Sequence, residues 1–298
     1  MNWILYALLS RFFWAADNIV DKFIVGRYIK DSYVLTLIGG IAPLFIAVII
    51  FFTSRLNWIG LAPISILILA GAIQIIAVFA FYQALLKEEV SRVIPLFQLT
   101  PIFVFILSFI FLKEMLTIKQ SLGFILILLG GVFISVKKIK GLFTLRAAFW
   151  WMMLSSFIYA IQAVIGKAFY NIYPFVIVTF YLSIGMFIPT FLLLLFSKQL
   201  RTKFTKELSS LPTKGWFTVV LGIVFVAFAY FTSFLAFSTG LVSIISVLRG
   251  FQSVFVLIFS IALSLWLPKI LKEELVGKVL LTKILAISIM LIGLYFIT

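Results

Sequence analysis

Residues 9–22 read LSRFFWAADNIVDK, and residues 154–167 read LSSFIYAIQAVIGK. Leu9, Ser10, Phe12, Ala15 and Lys22 thus recur at the same spacing as Leu154, Ser155, Phe157, Ala160 and Lys167. Further along, Val90-Ser91, Leu96, Phe103-Val104, Ile106 and Ser108 recur as Val242-Ser243, Leu248, Phe255-Val256, Ile258 and Ser260. Lys113-Glu114 then answers to Lys272-Glu273, and Gly131 to Gly293, once two short insertions in the second half are allowed. Each match alone is weak among apolar residues. Four in the same order read as a duplication, with repeats at 1–140 and 141–298.

Around these stretches, apolar runs fall at about 2–22, 33–53, 59–86, 92–112, 118–136, 147–168, 174–196, 215–238, 243–267 and 280–298. A bilayer core of roughly 30 Å takes about 20 apolar residues per helical span. The runs therefore predict an all-α, polytopic membrane protein of ten transmembrane helices, five to each repeat. Composition agrees: 64% of the residues are hydrophobic and 11% charged, whereas soluble domains carry about a quarter charged residues. An odd number of spans per repeat makes the second repeat enter from the opposite face, so the halves are expected to be inverted copies. Inverted repeats hold their solute near the midplane, between the halves. Arg11 interrupts the first run where the core of a cleavable leader is continuous, so that run reads as a retained span.

The formal net charge of +15 does not point to nucleic acid, because Lys and Arg cluster at the edges of apolar runs. Apart from Arg11 and Arg249, which lie inside spans, only Arg55, Lys113, Lys119 and Lys167 follow even-numbered spans. The positive-inside rule then places the odd connections in the cytoplasm and both termini outside. Cys and His are absent, which removes disulfides and the usual zinc ligands and leaves Asp or Glu to carry any coupling proton. No cofactor or metal is expected. Without a Walker-type phosphate loop or a recognisable catalytic set, the chain does not read as an ATPase or another enzyme.

A charge at the centre of a span costs about 2.5–3.5 kcal/mol on insertion scales, so each needs a reason. Trp14, Asp17, Asn18 and Asp21 follow i, i+3, i+4, i+7 spacing and share one helix face. Arg249 in the ninth span is the natural partner for that face, with Gln252 one turn on. Gln98 lies between Pro95 and Pro101, where proline frees backbone carbonyls that need a protein or water-lined surface. Gln74, Tyr82, Gln162 and Tyr230 complete a candidate ring around a solute. In it Arg249 would hold an anionic group, Asp17 an amine or a proton, and Trp14, Tyr82 and Tyr230 would wall the site. The competing reading is a plain Arg–Asp pair locking two helices. For the glutamines it is interhelical hydrogen bonding. Arg11 and Asp21 are expected nearer the interface, and Glu114 is expected to be a solvated charge at a helix end.

Pro95, Pro101-Ile-Phe103, Leu112-Lys-Glu114 and Leu122-Gly-Phe through Leu129-Gly-Gly131 resemble the drug/metabolite transporter superfamily, EamA type. Trp14 ahead of Asn18 and Lys22 fits the same resemblance, which extends over essentially the whole chain. The second half departs from it at Arg249-Gly-Phe-Gln252 and at an insertion over 268–276. The resemblance implies a ten-helix secondary carrier of amino acids, other metabolites or toxic compounds, with cytoplasmic termini, opposite to the charge count. The resulting expectation is a secondary active or facilitative exporter of a small metabolite such as an amino acid. It would work by alternating access in the plasma membrane, the inner membrane of a bacterium, as monomer or homodimer. Two rivals stand beside it: an exporter of hydrophobic cations or lipid-linked compounds, and a non-transporting membrane scaffold.

Overall fold

In the computed structural model, residues 2–88, 93–135, 147–266 and 278–298 are described, and among them the regular secondary structure is helical. Helix α1 (Asn2–Arg27) is followed by α2 (Ser32–Thr53), whose first turn is capped by Asp31 accepting from the backbone N–H groups of Tyr33 and Val34. Helices α3 (Leu61–Ala72) and α4 (Gln74–Lys87) are offset only at Ile73 and run on as one crossing of 27 residues. A 3₁₀ turn (Ile94–Gln98) opens into α5 (Leu99–Leu107), which widens to a π turn (Ser108–Leu112) and stops at left-handed Lys113. Then come α6 (Ile118–Ser135), α7 (Ala147–Tyr170), α8 (Phe175–Phe196) and α9 (Lys198–Ser209). The chain continues through α10 (Thr213–Thr239), α11 (Val242–Val247), α12 (Gly250–Trp266) and α13 (Lys278–Ile297).

Among the described residues, 6 helices are long and apolar enough to cross a bilayer: Ser32–Thr53, Leu61–Lys87, Ala147–Tyr170, Phe175–Phe196, Thr213–Thr239 and Val242–Leu263. Shorter apolar helices run over Leu96–Leu112, Ile118–Phe133 and Lys283–Ile297. Helix α1 has the length, but Arg11, Asp17, Asp21 and Lys22 keep it out of the apolar set. The side chains are sorted as hydrocarbon solvent requires. Phe52, Phe111, Phe217 and Leu69 are exposed on the outside, while Arg11, Asp17, Asp21 and Gln74 are buried. The chain is a multi-pass helical membrane protein.

The stretch between α8 and α10 holds a further helix, α9. Lys198, Arg201, Lys203 and Lys206 make it basic, while Phe204 and Leu208 pack against the core, the pattern of a helix lying along a membrane surface. Lys203 Nζ pairs with Asp31 at 3.0 Å, tying α9 to the start of α2.

Packing partners recur between the stretches that the sequence pairs by spacing. Helix α1 lies against α10 and α12, and α7 lies against α4 and α5. Ser10 Oγ donates to the carbonyl of Ala229 at 3.0 Å, and Ser155 Oγ donates to the carbonyl of Ala77 at 2.8 Å. Phe12 meets Phe255 edge-on at 5.7 Å, and Phe157 meets Phe103 edge-on at 5.4 Å. Each residue of the second contact is the repeat counterpart of one in the first. Helices α6 and α13 cross where Gly123 and Gly293 face each other. A Cβ on Gly123 would stand 2.6 Å from the Gly293 carbonyl oxygen, and one on Gly293 would stand 2.9 Å from that of Gly123. Only glycine permits that approach.

Glu114 is a correction to the sequence reading. It is 9% exposed, and its carboxylate accepts from the backbone N–H groups of Val242 (3.1 Å) and Ser243 (3.2 Å) and from Ser243 Oγ (2.7 Å). The left-handed Lys113 turns the chain so that Glu114 caps α11 from outside its own helix, where the dipole favours a negative charge.

Candidate functional site

Helix α1 turns its polar stripe inward because lipid cannot solvate it and α10 and α12 cover it. The Trp14, Asp17, Asn18 and Asp21 side chains all reach one cavity. Helix α4 adds Phe81 and Tyr82, the 3₁₀ turn adds Phe97, and α7 adds Tyr159. Tyr230 comes from α10, Arg249 from the break between α11 and α12, and Gln252 from α12. The free volume open to water is about 40 Å³, room for roughly three waters.

One end of the cavity is acidic. Tyr82 Oη donates to Asp21 at 3.1 Å, and Asp17 lies one turn away on the same face. Asn18 Nδ2 is buried there and finds no hydrogen-bond partner among the described residues. Arg249 stands at the other end. Its Nη1 donates to Thr100 Oγ1 at 3.1 Å, and its guanidinium lies over the rings of Phe97 (4.9 Å) and Tyr159 (5.4 Å). Among the described residues no ion pair joins Arg249 to Asp17. The competing reading, a direct pair, is not seen among them, and both charges face the same cavity. Trp14 meets Tyr230 edge-on at 5.0 Å.

Of the residues singled out from sequence, Trp14, Asp17, Asn18, Tyr82, Tyr230, Arg249 and Gln252 line this cavity. Gln162 lines an adjoining chamber together with Arg11 and Arg249. Gln74 stands behind the wall, its Nε2 donating to Tyr230 Oη at 3.4 Å. Gln98 is turned toward Gly131 of α6, with Nε2 2.7 Å from where a Cβ there would be. Arg11 and Asp21, expected nearer the interface, are 2% and 7% exposed. Tyr159, Phe97 and Thr100 were missed, although the spacing matches of the expected repeat carry the signal. Tyr159 is the counterpart of Trp14, Phe97 of Arg249 and Thr100 of Gln252.

Residues 1–136 match the EamA-like transporter family. An uncharacterized transporter of Archaeoglobus fulgidus is 29% identical over 172 residues, covering 58% of this chain and 59% of that protein. An uncharacterized protein of Methanocaldococcus jannaschii is 36% identical over 69 residues, covering 23% of this chain and 50% of that protein. The chain thus spans little more than half the length of these relatives. One crystal structure of a protein superposes with a TM-score of 0.71 at 15% identity, over 100% of this chain and 96% of the other. At that identity the likeness is one of fold.

Proposed function

With an EamA-like transporter domain of the drug/metabolite transporter superfamily at residues 1–136 as the premise, we propose that this protein is a secondary or facilitative carrier of a small metabolite bearing both charges, such as an amino acid. Ten spans form two inverted halves, 1–140 and 141–298, which rock about the cavity to open it to one side at a time. The recurring contacts support this reading. Ser10–Ala229 and Ser155–Ala77 are one hydrogen bond made twice, with the halves exchanged. A free volume of about 40 Å³ holds only a few waters, so the helices must move for a solute to pass, as alternating access requires.

One observation carries the choice of solute. Asp17 and Arg249 face a common cavity from opposite halves without neutralising each other. Asp17 receives the amine, Arg249 the carboxylate, and Trp14, Tyr82 and Tyr230 close around the carbon skeleton. Export is the direction the family resemblance suggests, and the plasma membrane is the place. A hydrophobic cation would find Asp17 and the aromatic walls but would have to lie beside the Arg249 guanidinium, which disfavours that rival. A scaffold has no use for unpaired charges inside the membrane.

Counterflow of radiolabelled amino acids into proteoliposomes tests the proposal. Asp17→Ala and Arg249→Ala are each expected to abolish flux while the purified protein keeps its yield and elution profile. Wild-type flux in both variants would remove the site assignment.

A further inference from the structure

Beyond Tyr159 and Tyr230 lies a second chamber, which shares Arg249 with the first and adds Arg11, Thr100, Gln162 and Ser246. Arg11 is 2% and Gln162 6% exposed. Nε and Nη1 of Arg11 and Nε2 of Gln162 have no hydrogen-bond partner among the described residues. Nor does any carboxylate among the described residues pair with Arg11. Asp17 lies six residues further along α1, about 9 Å along the helix axis, in the first chamber.

An arginine kept only to lock two helices would be expected to have a partner, and this one has none among the described residues. Unpaired guanidinium donors inside a membrane are costly. Two guanidinium forks beside an amide N–H, all donors, match the lone pairs of an oxyanion. We infer that this chamber is a second oxyanion subsite. The solute then carries an acidic group besides the one held at the Arg249 wall. Its class is an amino compound with an acidic side chain, carboxylate or phosphoryl, rather than a neutral amino acid. This rests on the carrier reading for the amine and first carboxylate, but the anion subsite itself stands on Arg11, Gln162 and Arg249.

The separation along α1 supports this class. The ammonium and carboxylate of an α-amino acid sit on one carbon and cannot span two helical turns, so a neutral amino acid held at Asp17 and Arg249 leaves Arg11 unused. A side chain of a few carbons with a terminal acid reaches it.

Titration calorimetry on the purified full-length chain tests this with leucine, glutamate, O-phosphoserine and inorganic phosphate. Glutamate or phosphoserine is expected to bind at least about tenfold tighter than leucine, the scale of one charge-assisted hydrogen bond. Whichever of the two binds tighter identifies the oxyanion. Arg11→Gln is expected to collapse that ratio toward one, and Arg11→Lys, which keeps the charge without the fork, to leave part of it. If Arg11→Gln does not fold, Arg11→Lys and Gln162→Leu carry the comparison. Equal affinity for leucine and glutamate in the wild type overturns the subsite and leaves the carrier reading standing. Phosphate binding that depends on Arg11, with no amino compound bound, supports the subsite and sinks the amino-acid reading. Binding of none of the four overturns the subsite.

Discussion

Removing the Glu114 carboxylate should loosen the junction between the chain after the Ser108–Leu112 π turn and the start of α11. In Glu114→Ala the N–H groups of Val242 and Ser243 lose their acceptor in a buried place. Ser243 Oγ keeps its 2.6 Å contact with Ser108 Oγ, so its loss is the smaller. An orphaned buried N–H costs about 1–3 kcal/mol, giving about 2–6 kcal/mol for the pair. Glu114→Gln keeps one acceptor oxygen, so it should lose the bonds on the other and fall about halfway. Unfolding followed by the fluorescence of the 7 tryptophans reads both variants. Gln at the exposed Arg55 is the control and should stay within about 0.5 kcal/mol. A double-mutant cycle with Ser243→Ala should show coupling, because the two groups touch. Glu114→Ala as stable as the control would refute the cap and return Glu114 to the solvated charge the sequence suggested.

Two further predictions concern the scaffold. Gly123→Leu drives a side chain into the Gly293 backbone, so α6 and α13 must separate, and the variant should be lost from the monodisperse peak on size exclusion. Asp31→Asn removes the charged partner of the exposed Lys203 at a partly buried site, and its unfolding should shift by no more than about 1 kcal/mol.

Much of the fold was readable because hydrocarbon solvent permits little else. A run such as Ser32–Thr53 has a single use, and the stripe from Trp14 to Asp21 had to turn inward, as it does. What escaped reading depended on contacts between distant segments. Glu114 looks like any interfacial glutamate until the left-handed Lys113 swings it under α11, more than a hundred residues away. Arg11 looks close enough to the membrane edge to reach water, until α10 and α12 cover it. Arg249 shares a cavity with Asp17 as the sequence suggests, but its contacts there, to Phe97 of the 3₁₀ turn and Thr100 of α5, depend on segments far away in the chain. Tyr159 was within reach, since the repeat already aligned it with Trp14.

Side-specific labelling of Asn18→Cys tests the account most directly. The chain has no cysteine of its own, and Asn18 points its unpartnered amide into the cavity. In oriented vesicles a membrane-impermeant thiol reagent should modify this position from either face, and solute on one side should protect it from the reagent on the other. Modification from one face only, whatever solute is present, or from neither, would contradict a cavity that opens alternately.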